Sequence, residues 1–169
     1  MANIITIVHK KDEKFLRTKT NPVDFLSLDK KSLRKIVQDM RAAMKRAEGI
    51  GLAANQIGLP YRIFVARIGE KSYTVLNPEL ISRSKDEETA EEGCLSVPGK
   101  WGTVSRSKEV VLHGYDLNGK KIKIKAWGLL ARMFQHEVDH LDGKLFIDKA
   151  TGIMNAPISE RLSKKVSSS

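Results

Sequence analysis

The stretch QHEVDHLDGKLF, residues 135–146, indicates a helix with two candidate metal ligands on one face. His136 and His140 are four residues apart, so on a helix both imidazoles project the same way. Glu137 follows the first histidine and can reach a water molecule on an ion held there. Two core histidines with satisfied hydrogen bonds are the alternative. The complete His-Glu-x-x-His spacing on an apolar helix favours a divalent metal.

The helix that carries these histidines is predicted to run from about Gly128 to Leu141. Its residues are mostly good helix formers, and Gly143 follows as a stop signal. Apart from the histidines and their neighbours, the segment is apolar nearly all round. That pattern is typical of a helix buried against sheets.

Other elements of the chain are predicted to supply those sheets. A first helix is predicted from Asp29 to Gly49, where apolar residues recur at helical spacing. Four strands are predicted, namely YRIFVARI (61–68), KSYTVLN (71–77), EVVLHGYD (109–116) and KKIKIKA (120–126). A charged loop from Arg83 to Glu92 is expected between the two pairs, and Asn118-Gly119 indicates a hairpin turn between the last two strands. In the final strand isoleucines alternate with lysines, which predicts a sheet with one solvent-exposed face.

The length and the cysteine usage bound the kind of protein. The 169 residues suit one domain, so we expect a single domain over 1–169, with a short helix after Pro157 and a tail that frays from about residue 160. Cys94 is the single cysteine, so no intramolecular disulfide can form. No segment approaches the length of a membrane span, and no targeting peptide is recognisable. These features predict a soluble protein of a bacterial-type cytoplasm, without membrane contact.

The charge balance is strongly basic. Thirty Lys and Arg residues against twenty Asp and Glu residues give a net charge of +10. The basic residues are scattered, and no DNA-binding or RNA-binding signature accompanies them. The charge balance therefore favours solubility and weak attraction to polyanions over a dedicated nucleic-acid module, and contact with ribosomal RNA remains open.

The third metal ligand can be sought by elimination. A metzincin-like protease would have a histidine at position 146, where this chain has Phe146. A thermolysin-like arrangement would use a glutamate on a later helix, for which only Glu160 is available, and little chain remains to build a helical subdomain there. Both routes are disfavoured.

The remaining donor is Cys94 in EEGCLSVPGKW, residues 91–101. A lone cysteine is by default a small buried hydrophobe. Here Gly93 precedes it and lets the backbone approach closely, and the two histidines lack a partner. One thiolate and two imidazoles would leave a fourth position for water, which is the catalytic arrangement of such sites.

A third stretch, GIGLAANQIG at residues 49–58, is rich in small residues. Such residues allow a backbone to lie close against a ligand, and Gln56 is a neutral hydrogen-bond donor. The stretch is not a dinucleotide fingerprint, because the Gly-x-Gly-x-x-Gly pattern fails at Ala54. Taken alone, it favours a helix cap and a packed turn.

Together the three stretches resemble the peptide deformylase family, whose members remove the formyl group from the initiator methionine of nascent bacterial and organellar proteins. GIGLAANQ, EGCLS and QHEVDHL match the family's Gly-x-Gly-x-Ala-Ala-x-Gln, Glu-Gly-Cys-Leu-Ser and Gln-His-Glu-x-Asp-His-Leu in the same order. The resemblance spans about Ile5 to Ile147. It implies an α+β fold in which antiparallel or mixed sheets surround a central helix bearing the His-Glu-x-x-His motif.

The resemblance also implies roles for individual residues. By position it assigns metal binding to Cys94, His136 and His140, and general acid/base catalysis to Glu137. It assigns contacts with the oxyanion to Gln56 and the Leu95 backbone amide, and it places Gly51 at the border of the substrate. Glu92 and Arg106 are expected to form a structural ion pair. For substrate binding we add Ile50, Leu129 and Met133, expected to line an apolar pocket for the methionine side chain, and Gly93 beside the cysteine.

The implied cofactor is one divalent ion per chain. Fe2+ is the usual native metal in the family, and Zn2+, Ni2+ or Co2+ can substitute. The implied partners are N-formylmethionyl peptides and, transiently, the ribosome, with no DNA; we expect a monomer. The chain departs from the family at HKKDEKF (9–15), at Trp127 and in its short tail.

Two other functions stay open at this point. One is a metallopeptidase that cuts internal peptide bonds. The other is a non-catalytic ribosome-associated binding protein, which would have no need of Glu137 or Gln56.

Overall fold

The computed structural model describes residues 2–155 of the chain. The α-helices, in chain order, are α1 (Lys10–Leu16), α2 (Lys30–Arg46) and α3 (Gly128–Leu141). The strands are β1 (Gly51–Ala53), β2 (Ile63–Ile68), β3 (Lys71–Arg83), β4 (Glu87–Cys94), β5 (Val97–Ser107), β6 (Glu109–Tyr115), β7 (Lys121–Trp127) and β8 (Thr151–Asn155). Short 3-10 helices span Ala54–Ile57 and Phe146–Asp148.

Two antiparallel sheets flank the helix that carries the histidines. The larger has the strand order β1-β2-β3-β6-β7, and the smaller has the order β4-β5-β8. Helix α3 contacts strands of both sheets. The predicted α+β architecture with a central helix is therefore confirmed, and its sheets are built from antiparallel pairs.

Helix α3 is buried along most of its length. It begins at Gly128 and ends at Leu141 as predicted, and ten of its fourteen residues are buried. Phe134 packs against Phe64 of β2 with ring centroids 5.5 Å apart. The chain turns sharply after the helix at Gly143, whose φ is +73°, and a Cβ there would overlap the Arg17 carbonyl. Burial on both sides fixes the direction in which the histidines point.

Helix α2 covers the other side of the larger sheet. Asp29 caps its start by accepting hydrogen bonds from the Lys31 and Ser32 backbone amides. Its apolar stripe packs in a core cluster that also contains Leu52 of β1 and Val65 of β2. The prediction of a helix between Asp29 and Gly49 is confirmed, with the helix ending at Arg46.

The four predicted strands are present as β2, β3, β6 and β7, but β1, β4, β5 and β8 were not predicted. The charged segment Arg83–Glu92 is not a loop, because β3 extends through Arg83 and β4 begins at Glu87. Strand β4 lies at the edge of its sheet, where only one side is paired and charged side chains face water at low cost. Helix α1 was also not predicted; it is seven residues long and is anchored by the buried Leu16.

The hairpin between β6 and β7 follows the prediction. Gly119 adopts a φ of +78°, and the Asp116 carboxylate accepts bonds from the Asn118 and Lys120 amides. In β7, Ile122 and Ile124 pack against the core while the alternating lysines are exposed. The helix expected after Pro157 lies outside the described residues. Across residues 2–155, no helix is long and apolar enough to cross a membrane.

Candidate metal centre

Three side chains from two separate elements converge in front of α3. Cys94 is the last residue of β4, immediately before the turn Leu95–Ser96 into β5. Its Sγ lies 3.1 Å from His140 Nε2, which lies 3.2 Å from His136 Nε2. All three ligand atoms are within 4.8 Å of one another. The sequence had paired these residues across more than forty positions, and the structure brings them together.

The donor set fits a divalent ion. A tetrahedral ion with bonds of about 2.0–2.3 Å holds its ligand atoms roughly 3.3–3.8 Å apart, close to the separations found here. Of the residues that the structure describes, only these three form a group of this kind. One thiolate with two imidazoles is a ligand combination known for open, catalytic sites.

Protonation at the centre supports the same reading. Burial alone would raise the pKa of Cys94, but His140 and His136 outweigh it and lower that pKa to about 5. The sulfur is therefore a thiolate at neutral pH, the form that binds metals. Burial lowers the pKa of His136, whereas Cys94 and Glu92 raise it to about 10. A metal ion bound by this ring would displace a proton from it, so we expect metal binding to weaken as the pH falls.

Glu137 is a buried carboxyl group beside the candidate ligands. It is only 3% exposed, and its Oε2 has no hydrogen-bond partner among residues 2–155. Burial raises its pKa to about 7, with His136 and His140 opposing the rise. A group with that pKa can both take and give a proton at neutral pH. The unpaired oxygen is a ready acceptor for a water molecule beside the centre.

The glycine-rich stretch forms one wall of the site. Gly51 opens β1, and a Cβ there would overlap Oε1 of Glu137 and lie 2.9 Å from its Cδ. The helix cap predicted for this stretch is present at Gly49, whose amide donates to the Met44 carbonyl at 3.0 Å, so Gly51 has a different role. It allows the backbone to lie directly against the Glu137 carboxylate.

Gln56 is turned toward the sulfur. Its Nε2 donates to Ser96 Oγ at 3.1 Å and approaches Cys94 Sγ at 3.5 Å, while its Oε1 accepts from the Ala53 amide at 2.9 Å. The Ser96 amide also donates to Cys94 Sγ, at 3.4 Å. Sequence reasoning missed Ser96, although its place two residues after the cysteine is a signal that could have found it.

A buried cluster of charges stands behind His136. Glu92 accepts from Arg106 Nε at 2.6 Å and Nη2 at 2.9 Å, which confirms the expected ion pair. Arg132 donates to the same carboxylate at 2.8 Å, and His136 Nδ1 lies 3.0 Å from Glu92 Oε2. Through this last contact Glu92 orients the ring of one candidate metal ligand, as carboxylates behind metal-binding histidines commonly do.

The cluster continues away from the centre. Arg106 Nη1 donates to Asp139 at 2.7 Å, and Lys149 Nζ donates to both oxygens of Asp139 at 2.9 and 2.7 Å. Burial tends to lower the pKa of Arg106, but Glu92 and Asp139 hold it above its ordinary value. No sequence pattern indicated that Arg132, Asp139 and Lys149 belong to this arrangement, because their pairing depends on how β5 and α3 pack.

We expect Glu92→Gln to weaken both the fold and the metal site. Loss of its charge leaves two buried arginines without their shared carboxylate, which costs roughly 3–5 kcal/mol in the free energy of unfolding. Loss of the His136 contact should also reduce metal affinity by about 10–100-fold. Denaturant unfolding and chelator competition would measure the two effects. Glu13→Gln is the control, since the Glu13–Arg17 pair is solvent-exposed and worth at most about 1 kcal/mol; equal losses in both variants would contradict the assignment.

The residues suggested for the substrate pocket differ in their surroundings. Ile50 is 47% exposed and Leu129 is 55% exposed, whereas Met133 is buried with Phe134 in the core cluster under the larger sheet. A Cβ on Gly93 would lie 2.7 Å from the Trp101 ring. The pocket role of these residues stays a prediction.

Comparison with known proteins places this geometry in a family. The sequence profile described as "Polypeptide deformylase" matches residues 3–156. The peptide deformylase of Elusimicrobium minutum is 42% identical over 165 residues, covering 92% of this chain and 93% of that protein. The crystal structure of peptide deformylase from Thermotoga maritima superposes with a TM-score of 0.82 at 35% identity, covering 89% of this chain and 98% of that one.

A further solved structure, a peptide deformylase of Acinetobacter baumannii with Met-Ala-Ser bound, gives a TM-score of 0.82 at 29% identity over 88% of this chain and 99% of that one. The profile match and the curated relative both extend over nearly the whole chain. This chain therefore belongs to the polypeptide deformylase family.

Proposed function

We propose that this protein is a metal-dependent hydrolase that removes the N-formyl group from the initiator methionine of nascent polypeptides and releases formate. One observation carries the proposal: Cys94, His136 and His140 converge beside a buried glutamate, Glu137, in a chain of the deformylase family. The Acinetobacter baumannii relative with Met-Ala-Ser bound supports a peptide substrate that begins with methionine. Family membership also favours deformylation over the cleavage of internal peptide bonds.

The residues around the centre suit this hydrolysis. A divalent ion bound by Cys94, His136 and His140 supplies Lewis-acid polarisation and lowers the pKa of a water molecule. Glu137 takes a proton from the attacking water as the bond to the formyl carbon forms. The same carboxyl then gives that proton to the departing amine, which a pKa of about 7 permits in both directions.

Two donors are proposed for the oxygen that becomes negative. Gln56 Nε2 donates one proton to Ser96 Oγ at 3.1 Å, and its second proton has only a long contact with Cys94 Sγ, at 3.5 Å, so the second proton is available to the formyl oxygen. The Leu95 backbone amide is the second donor. One such donor contributes on the order of 3 kcal/mol to the transition state.

For substrate binding we propose Gly51 and Gly93 beside the scissile group, and Ile50, Leu129 and Met133 around the methionine side chain. Leu129 is seven residues before His136, so it lies on the same helical face about two turns away. The exposure of Ile50 and Leu129 leaves apolar surface available to a ligand.

The direct test compares formyl-Met-Ala-Ser with acetyl-Met-Ala-Ser, using metal-loaded protein. We expect formate and a free amino terminus from the first peptide and no turnover of the second. A longer formylated peptide distinguishes the metallopeptidase alternative, because internal fragments would reveal it. Absence of formate from freshly loaded protein would overturn the proposal.

We propose Fe2+ as the bound ion, with Zn2+, Ni2+ or Co2+ able to replace it. A site of one thiolate and two imidazoles suits all four ions, so the choice depends on their availability. Because Fe2+ beside a thiolate reacts with oxygen, the iron-loaded protein should lose activity in air several-fold faster than the nickel-loaded protein. The two half-lives, measured side by side, check this; equal half-lives would contradict iron.

The setting of the enzyme is also proposed. An enzyme acting on nascent chains must meet them in the cytoplasm, and the net charge of +10 supports transient contact with ribosomal RNA. We further propose one catalytic domain over residues 1–169 and a monomer in solution. If cosedimentation with ribosomes did not weaken as salt is added, an electrostatic contact with ribosomal RNA would be contradicted.

We expect Gly51→Ala to lower kcat with little change in stability. The added methyl group displaces the end of the Glu137 side chain rather than any backbone atom, and a shift of about 1 Å in a reacting group can cost about 100-fold in rate. Formate release and thermal unfolding measure the two properties. Gly114→Ala is the control, because its methyl group would crowd Val75 and the Leu76 carbonyl in the larger sheet; it should lower stability and spare kcat.

A further inference from the structure

Two buried atoms near the helix end have complementary unmet hydrogen-bonding needs. In the described part of the chain, only three buried side-chain atoms lack a partner, and Glu137 Oε2 is accounted for above. The other two are His140 Nδ1 and Asn55 Oδ1. Since a buried polar group without a partner costs roughly 1–3 kcal/mol, each of these atoms requires an explanation.

His140 must carry a proton on Nδ1. Its Nε2 is the atom that faces Cys94 Sγ and His136 Nε2, so Nε2 is the ligand atom. A neutral imidazole that binds through one nitrogen has its hydrogen on the other, and that N–H needs an acceptor. For His136 the acceptor is Glu92, at 3.0 Å. No acceptor contacts the corresponding nitrogen of His140 among the described residues.

Asn55 offers an acceptor in the right neighbourhood. It is fully buried, and its Nδ2 donates to the His140 carbonyl at 2.6 Å and approaches the Leu16 carbonyl at 3.4 Å. Reversing the amide would point Oδ1 at these two carbonyl oxygens, so the orientation is fixed by its neighbours. Oδ1 is then a free acceptor on a side chain already bonded to the same residue whose ring lacks one.

We propose that Asn55 is a positioning residue for the metal ligand His140, through one buried water that accepts from Nδ1–H and donates to Asn55 Oδ1. The inference rests on the metal role proposed for His140. A water is included because the two atoms are not directly bonded, and a buried water with two polar partners is an ordinary feature of protein interiors.

The test uses Co2+ as the probe and requires no substrate. In the Co2+-loaded protein the ring N–H protons of His136 and His140 should give two paramagnetically shifted, solvent-exchangeable NMR signals. We expect Asn55→Leu to speed exchange of the His140 signal, to leave that of His136 in place, and to weaken Co2+ binding by about 10–100-fold in chelator competition.

Thr20→Val is the matched control. The Thr20 hydroxyl donates to the Leu141 carbonyl at 2.9 Å, so Thr20→Val removes one hydrogen bond at the same helix end without touching the ring. This variant should lower stability and keep both signals and the Co2+ affinity. The proposal would be overturned if Asn55→Leu left the exchange rate of the His140 signal and the Co2+ affinity unchanged. It would also be overturned if Asn55→Leu and Thr20→Val lost equal amounts of Co2+ affinity.

A measurement on the unaltered protein covers the case in which Asn55→Leu does not fold. A high-resolution structure of the Co2+-loaded protein should contain a water within hydrogen-bond distance of both His140 Nδ1 and Asn55 Oδ1. If His140 Nδ1 is bonded to another group, or if no water lies there, the proposed water bridge between His140 and Asn55 is refuted. None of these readouts involves formate release. A negative result for the water bridge is therefore distinguishable from a negative result for the proposed activity.

Discussion

Replacing Glu137 with glutamine is expected to lower kcat for formate release by about 10²–10⁴-fold, the range that general acid–base catalysis supplies. Glutamine has nearly the same shape, so it can occupy the space against Gly51, but it cannot accept a proton from water or hand one to the amine. The three candidate ligands are untouched. The protein should therefore bind as much metal as before.

The measurement pairs steady-state formate release with metal analysis of the same sample. Asp139→Asn is the comparison variant, because Asp139 is the other carboxylate of the motif and bonds to Arg106 and Lys149 rather than facing the centre. It should cost stability and much less turnover. Near-normal turnover in Glu137→Gln would exclude the proton-transfer role.

Cys94→Ser is expected to weaken metal binding by more than about 100-fold, a larger effect than outer contacts produce. The His140 and His136 rings lower the pKa of Cys94 to about 5 against the effect of burial, so the native ligand is an anion at neutral pH. A serine hydroxyl keeps its proton under the same conditions and is a poor ligand. The site then retains two imidazoles on one helix.

Chelator competition with Zn2+ or Co2+ measures the loss. Ser96→Ala is the matched control, since it removes a hydroxyl two residues away and leaves the sulfur in place; its metal affinity should stay close to that of the unaltered protein. Cys94→Ser protein that retains full metal occupancy at low free metal would argue against a thiolate ligand.

Much of the fold was predictable because the spacing of apolar residues along the sequence matches the faces that are buried in the tertiary structure. The limits of α3 follow from helix formers between Gly128 and Leu141 followed by Gly143, and burial then requires layers on both sides. The alternation in β7 similarly identified its buried face. Strand β4 escaped prediction because its many glutamates disfavour strand structure locally, and its pairing with β5 overrides that preference.

The candidate site divides in the same way. Motif spacing identified Cys94, His136 and His140, because a ligand set has few possible donors in a chain with one cysteine. The groups behind them were not predictable, since Arg132 and Asn55 reach their partners only across contacts between different elements. Such contacts leave no periodic trace in the sequence.

The division of the ligands between a hairpin and a helix has a consequence for the lifetime of the protein. An ion held by Cys94 and His140 would join points 46 positions apart and so act as a removable cross-link. An ion that binds only the native state adds to the free energy of unfolding in proportion to the logarithm of the free ion concentration, once that concentration exceeds the dissociation constant. Scarcity of the ion would then both stop the enzyme and loosen the chain, exposing idle molecules to proteolysis before working ones.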